Sequence, residues 1–373
     1  MTKAAELAKM GEVLTNSQIG GRRNIVINGA MQVAQRGTSA TGLGDSDTYA
    51  VCDRWKLVKE ATTAGRLTMS QDSSAPSGFG NSLKLDCTTA DTSIAAGELL
   101  LLQQRIEGQD LQAFAKGTSD AKEFSVSFYV KGNASATYVC ELHDQDNTRQ
   151  CSKTFSVTTD WTRIELLFPA DTTGAFDDDN ARSLNLNIAL NAGSNYTSGT
   201  LNSSGFASST DANRYVGISS FFDSTDRTFF ITGIQLEVGS QATPFEHRSF
   251  GEELALCQRY FYVHADGSIT SEYHVGVAAN YAGSALYLAV YPTVTMRAIP
   301  TLEQTTGTDY YRAFSTTISG NSDYFDEFII TSPHSQPNIF EIKGQTNVSV
   351  TAGEAVFVRL ANSSAKLFFD AEL

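Results

Sequence analysis

Over most of this chain, apolar and polar residues alternate with a period of two. Phe124, Val126 and Phe128 alternate with Ser125, Ser127 and Tyr129, the pattern of a strand with one buried face. Comparable runs recur in ATYVCELHD (136–144), TRIELLFPA (162–170), LNLNIAL (184–190) and FFITGIQLEV (229–238), separated by stretches rich in Gly, Ser, Thr, Asn and Asp. Many short strands with polar turns and almost no helical periodicity predict a β-sandwich or jelly roll up to about residue 238. Near its start, Ile25 and Ile27, then Met31 and Val33, form short alternating runs around an Asn28-Gly29 turn. QRIEGQDLQAFAKG is the exception, with Asp110 placed to cap a single helical turn. The tract 192–215 is too polar for a core strand and predicts a long surface excursion.

Two places break the period of two. Residues 2–18 have helical propensity, with Leu7, Met10 and Leu14 on one narrow stripe. A helix this short needs a partner surface, either its own domain or copies of itself in a coiled coil; a frayed terminus is the alternative. Further on, the strand ITGIQLEV stops at Gly239-Ser240, Pro244 blocks continuation, and Ser249 with Glu252 forms an S-x-x-E capping box. Phe250, Leu254, Cys257 and Phe261 then recur at helical spacing, which makes Cys257 a packing residue. From about residue 259 strand-like runs resume: RYFYVHADG, SEYHVGVAA, SALYLAVYPTV, EFIITSP, NIFEIKG and AVFVRLA. The expected organisation is an N-terminal helix (1–22), a β-sandwich (23–248), and a linker helix leading into a smaller C-terminal sandwich (249–373).

A chain of 373 residues suits two such cores. The net charge of −14 argues against a nucleic-acid partner, since phosphate binding needs clustered Lys and Arg. No apolar run is long enough to insert in a membrane, and MTKAAELAKMGEV lacks the apolar core of a secretion signal, so a product assembled in a cytoplasm is expected. The five cysteines are scattered without metal-ligand or disulfide spacing and predict buried thiols and no cofactor.

Catalytic chemistry leaves a thin trace. The five histidines sit in no recognisable catalytic setting, and no GxSxG, HExxH, P-loop or dinucleotide motif occurs. Glu246, His247 and Arg248 crowd together after Pro244, where alternating side chains do not converge, so a structural joint is the expected role. The run Asp177, Asp178, Asp179, Asn180 lacks the glycine and terminal glutamate of a calcium loop and predicts a solvated turn. The tyrosines are more informative, with nine of fourteen lying after residue 259. An exposed phenol ring stacks on a sugar face while its hydroxyl hydrogen-bonds. Tyr281, Tyr310, Tyr311 and Tyr324 are the loop-tip candidates for glycan binding.

RRNIVINGAMQVAQRGTS (22–39), YAVCDRW (49–55), QRIEGQDLQAFAKGTSDAKEFSVSFYVKG (104–132), FPADTTGAFDDDNARSLNLNIAL (168–190) and ITGIQLEVGSQATPFEHRSFGEELALCQRYF (231–261) resemble tail fibre and minor structural proteins of tailed bacteriophages, notably those of marine bacteria. YPTVTMRAIPTL (291–302) and the terminal FFDAEL resemble the same family more loosely. The resemblance implies a virion component, a homotrimer, with residues 1–22 serving trimerisation or attachment to other phage proteins, a carbohydrate-binding-like sandwich over 23–248, and a distal part, 249–373, that meets host surface polysaccharide. It implies no catalytic residues. Two alternatives stay open: a purely architectural virion protein such as a capsid fibre or collar, and a polysaccharide depolymerase with carboxylates distant in sequence.

Overall fold

The computed structural model describes Lys3 and residues 22–61, 64–269, 272–281, 285–316, 319–331, 334–344 and 348–373. The proposed N-terminal helix, with Leu7, Met10 and Leu14, lies outside the described residues. The protein is mainly β and divides into two compact units: residues 1–253 with Leu373, and residues 254–372.

The first half of the first unit contains β1 (Ser39–Leu43), β2 (Lys56–Glu60), β3 (Arg66–Asp72), β4 (Ser82–Thr89), β5 (Leu99–Glu107) and β6 (Phe124–Gly132). After these come β7 (Ala136–Asp144), β8 (Arg149–Val157), β9 (Thr162–Phe168), β10 (Arg182–Ala192), β11 (Ala207–Ser208) and β12 (Thr228–Val238). They form two antiparallel six-stranded sheets, β1-β3-β4-β12-β6-β9 and β11-β8-β7-β10-β5-β2. The predicted alternation sets the inner faces: Phe124, Val126, Phe128 and Val130 of one sheet and Tyr138, Cys140, Leu184, Leu186 and Ile188 of the other share one core. This is the β-sandwich that the strand pattern implies.

One stretch departs from the expectation. Residues 22–34 bend at Asn28, which has a positive φ of 56°, but their alternating runs do not pair as strands. Two backbone bonds link it to β12, Ile25 N–H to Leu236 O and Ile234 N–H to Gly29 O, both 3.0 Å, and side chains satisfy much of the rest. Glu246 accepts from the N–H groups of Arg23 (3.1 Å) and Asn24 (2.8 Å). Gln104 accepts from Ile27 N–H at 2.8 Å and Glu253 from Asn28 N–H at 2.5 Å. Asn28 Oδ1 takes Val33 N–H at 3.0 Å, and Arg248 donates to the carbonyls of Asn24 and Val26. A continuous ladder would have used backbone partners throughout; here carboxylates and amides carry much of that load.

The same region disposes of the reactive-looking cluster. The Glu237 carboxylate accepts from Thr243, the Gln235 side chain accepts from Glu246 N–H, and Arg163 donates to Thr243 O, so the connector after β12 lies across the outside of its sheet. His247 is packed between Phe79 and Phe245 at ring separations of 5.1 and 4.9 Å. Gly233 sits at the adjoining register shift with φ 64°, and a side chain there would meet the Phe79 ring at 2.7 Å. Ser249 and Glu252 form the expected capping box, with Ser249 N–H donating to Glu252 at 2.9 Å. It opens helix Phe250–Gln258, in which Cys257 is buried.

The polar tract 192–215 is more than an excursion. It carries a short helix (Ser194–Thr197) and β11, and delivers Arg214 and a fully buried Tyr215 onto the outer face of the second sheet. There Glu141 accepts from Arg214 (2.9 Å) and Tyr215 (2.6 Å), and also from Asn187 (2.8 Å), which in turn accepts from Gln103. Beneath the 171–179 loop, the fully buried Lys116 ammonium donates to Asp144 (2.6 Å) and to the carbonyls of Thr173 and Gly174. Asp171 stands 3.2 Å away and is also bound by Arg149. A tethered cation thus sits among the oxygens that face this loop, whose Asp177, Asp178 and Asp179 are exposed.

The second unit contains β13 (Phe261–Asp266), β14 (His274–Asn280), β15 (Leu286–Val290), β16 (Thr301–Gln304) and β17 (Tyr311–Phe314). It continues with β18 (Ser322–Phe325), β19 (Phe328–Ile330), β20 (Phe340–Gly344), β21 (Ala355–Leu360) and β22 (Lys366–Asp370). A three-stranded sheet, β13-β22-β16, and a seven-stranded sheet, β18-β17-β21-β14-β15-β20-β19, enclose its core. One site expectation fails here. Tyr311 is not at a loop tip but the first residue of β17, fully buried, with its ring 4.8 Å from Phe328 and its hydroxyl donating to Lys366 O at 3.2 Å. The strand begins in the inward phase, which places Tyr311 inside and Arg312 outside.

Replacing Glu246 with Ala strands two backbone donors and is expected to cost about 2–4 kcal/mol, with Glu246→Gln about half as costly because one acceptor oxygen remains. Urea unfolding of the full chain measures both. Acid should act in the same direction. Burial would raise the Glu141 carboxyl, but Arg214 outweighs it and the group lies below its usual range; Asp171 is likewise lowered, Arg149 and Lys116 outweighing its burial. Burial pushes His143 and His264 below the usual histidine value. Each group is depressed in the folded state, so its stabilisation is complete above the unfolded pKa and is lost as pH falls through the folded one. The urea midpoint should therefore fall from about pH 6.5 downward through the histidines and again below about pH 4 through the carboxylates. His143→Gln should flatten the first limb.

Candidate functional site

The seven-stranded sheet of the second unit turns one face to its core. The residues between the core positions form a second, outward face. In β21 Val356, Val358 and Leu360 are buried, and Phe357 points out at 59% exposure. In β17 Tyr311 and Ala313 are buried, which puts Arg312 and Phe314 outside. A register shift in β14 between His274 and Gly276 resets the phase, so that Val277 faces out at 56% exposure although Val275 is buried. Gly276 has φ 154°, a backbone conformation that side chains disfavour, and a Cβ there would also approach Leu288 Cδ1 to 2.9 Å.

Cross-strand register arranges these outward residues in three rows. Tyr324, Arg312, Arg359 and His274 are successive partners across β18, β17, β21 and β14. Ser322, Phe314, Phe357 and Val277 form the adjacent row across the same strands. Ala355, Ala279, Tyr287, Lys343 and Ile329 run across β21, β14, β15, β20 and β19. Opposed residues in such rows lie close enough for their side chains to touch.

The rings and cations are in contact. The Arg312 guanidinium lies 4.5 Å from the Phe314 ring centre and 5.1 Å from that of Tyr324. Arg359 lies 4.8 Å from Phe314, and Lys343 Nζ lies 5.6 Å from Tyr287. Tyr281, 83% exposed, meets Tyr287 edge to face at 6.4 Å. Isolated exposed apolar residues are ordinary on a protein surface, but contiguous aromatic rows on a rigid sheet are not. Chemically this face offers flat apolar rings for stacking, phenol hydroxyls for hydrogen bonding, and cations seated on ring faces.

Of the tyrosines singled out from the sequence, Tyr281 and Tyr324 belong to this face, and Tyr311 does not. Tyr310 is half-buried, packed against the second core with its ring over Gly307. Phe314, Phe357, Arg312 and Arg359 were missed. Their signal was available in YRAF and AVFVRL, where aromatic and basic residues occupy the phase opposite to the buried one. Of the other histidines, His264 Nε2 lies 2.8 Å from Val275 O, and His143 is half-buried beside Glu141 in the first unit.

No family model and no curated protein matches this chain. Several solved structures do, at low identity. One is the enzymatically active domain of tailspike protein 4 from bacteriophage CBA120, 12% identical, with 58% of this chain and 21% of that chain covered at a TM-score of 0.29. Another is the family 11 carbohydrate-binding module of a Clostridium thermocellum cellulosomal cellulase, 13% identical, with 56% and 98% covered at a TM-score of 0.27. A third is a putative sugar binding protein of Bacteroides thetaiotaomicron, 11% identical, with 58% and 100% covered at a TM-score of 0.31. The match thus spans about a fifth of the tailspike's length and nearly all of the other two. At this level of superposition, function has to be argued from the residues.

Stability separates the tyrosines. Tyr311→Ala should cost about 3–5 kcal/mol, as for other large buried rings, whereas Tyr281→Ala and Tyr324→Ala should stay within about 0.5 kcal/mol of the parent. Thermal unfolding of the three variants tests the assignment of inside and outside.

Proposed function

We propose that this protein is a non-catalytic component of a tailed-phage particle that binds host surface glycan through the outward face of the seven-stranded sheet. The observation that carries the reading is the unbroken row Phe314, Phe357 and Val277, flanked by Tyr324, Tyr281 and Tyr287, on strands whose other side is a packed core. A polysaccharide chain presents alternating apolar ring faces and hydroxyl edges, and a row of fixed rings binds it with little loss of side-chain freedom. The resemblance of residues 22–262 to phage fibre proteins supplies the particle context. In that setting the chain is a homotrimer attached through residues 1–22, and three weak faces act together by raising the effective local concentration.

The test is binding of the purified full chain to host cells and to their extracted surface polysaccharide. Phe357→Ala should weaken binding about tenfold, the size of one lost stacking contact, without lowering the unfolding midpoint. Incorporation into particles with no polysaccharide binding would replace this reading with an architectural one. Release of reducing sugar would make the protein a depolymerase.

A further inference from the structure

The outward face carries more than apolar rings. Arg312 of β17 and Arg359 of β21 are direct partners in an antiparallel pair, so two guanidinium groups project side by side. Like charges directly opposed destabilise a sheet pair. This pair occurs in a chain with 41 acidic and 27 basic residues, where opposite-charge partners are in ample supply. Both groups are held against one ring, at 4.5 and 4.8 Å from the centre of Phe314. Their shared support fixes them on the same side of the sheet.

The hydrogen bonds of the pair are incomplete. Arg312 gives one nitrogen to Ser322 Oγ at 2.7 Å, and Arg359 gives one to Glu272 at 3.3 Å, in an ion pair whose carboxylate is 58% exposed. The Nε–H groups of both arginines are buried, with no acceptor among the described residues. A guanidinium presents five donors in a planar fork suited to carboxylate and sulfate oxygens. Two adjacent forks with donors to spare, bordered by Tyr324 and continuous with Phe357, form a place for an anionic group attached to a stacked ring.

Building on the glycan-binding reading, we propose that the ligand of this face is an acidic polysaccharide, its uronate carboxylate or sulfate ester bound by Arg312 and Arg359 while the neighbouring sugar stacks on Phe357. Charge complementarity selects this occupant over a neutral glycan, which leaves Arg312 without an anionic partner among the described residues and Arg359 with only the exposed Glu272 carboxylate. It also selects against a second copy of this chain through the same face, which would bring arginine pairs together.

The experiment uses the full chain and three probes: a polyuronate, a sulfated polysaccharide and a neutral glucan. Binding is measured at about 50 mM and about 300 mM salt, a range over which screening changes strongly. At least one anionic probe should bind about tenfold or more tightly than the neutral one, and lose affinity at high salt. Comparing uronate with sulfate identifies which acidic group is used. Arg312→Gln and Arg359→Gln should each reduce anionic binding about tenfold and weaken its salt dependence. Arg312→Lys, which keeps the charge but loses the fork, should fall between them and the parent. Unfolding midpoints of the variants control for folding. Neutral-glucan binding equal to anionic binding, lost in Phe357→Ala but unchanged in both arginine variants, would overturn the acidic ligand and leave the glycan face standing. Binding to none of the probes, with self-association that Phe357→Ala abolishes, would overturn both.

Discussion

The buried backbone of residues 23–33 has no ladder of its own, and this constraint organises the first unit. Its amide groups must be satisfied or the segment cannot pass through the interior. Glu246 and Glu253 supply carboxylates, Gln104, Asn24 and Asn28 supply amides, and Arg248 answers the carbonyls. Charge-assisted bonds of this kind are stronger than neutral ones, so a few side chains can replace a strand partner. The connector after β12 then has a defined path, since its own Thr243 and Glu246 amides are held by Glu237 and Gln235. The first and last parts of this unit are thereby fastened by side chains more than two hundred positions apart.

The same device recurs where the sandwich could otherwise lose order. Glu141 anchors the tract that follows β10, and Lys116 gathers the 171–174 carbonyls and carboxylates around one ammonium. Buried ions are expensive unless every partner is in place. These sites are nearly complete, and they fix loops that composition alone would leave free. A scaffold held this way keeps its surface features in register.

What could be read from the chain follows from this physics. FSVSFYVKG and ATYVCELHD are strands to the residue, because a buried sheet face enforces a period of two over nine positions. The capping box at Ser249 and Glu252 is equally local and equally legible. Residues 22–34 were illegible for the opposite reason: their partners, such as Glu246 and Glu253, are remote in sequence, and an alternating pattern does not say whether the donor's acceptor is a strand or a side chain. Tyr311 shows a subtler failure. A tyrosine pair after TGTD looks like a turn, yet a strand that starts one residue later sends Tyr311 inward and leaves Tyr310 at the margin. In β14 the alternation of Val275 and Val277 suggests one shared face, and only the register shift at Gly276 separates them.

The outward face of the larger sheet is where agreement between levels breaks down. Here Phe357 and Val277 stand open, and two arginines are set opposite each other in a chain rich in acids. None of this fills the core of the sheet, whose inner side is already occupied by Val356, Val358 and Leu360. Features that the core does not require persist where they serve something outside it. Their positions on adjacent strands are fixed by the ladder rather than by loop conformation, which gives the proposed recognition of a repeating polymer a constant spacing to work from.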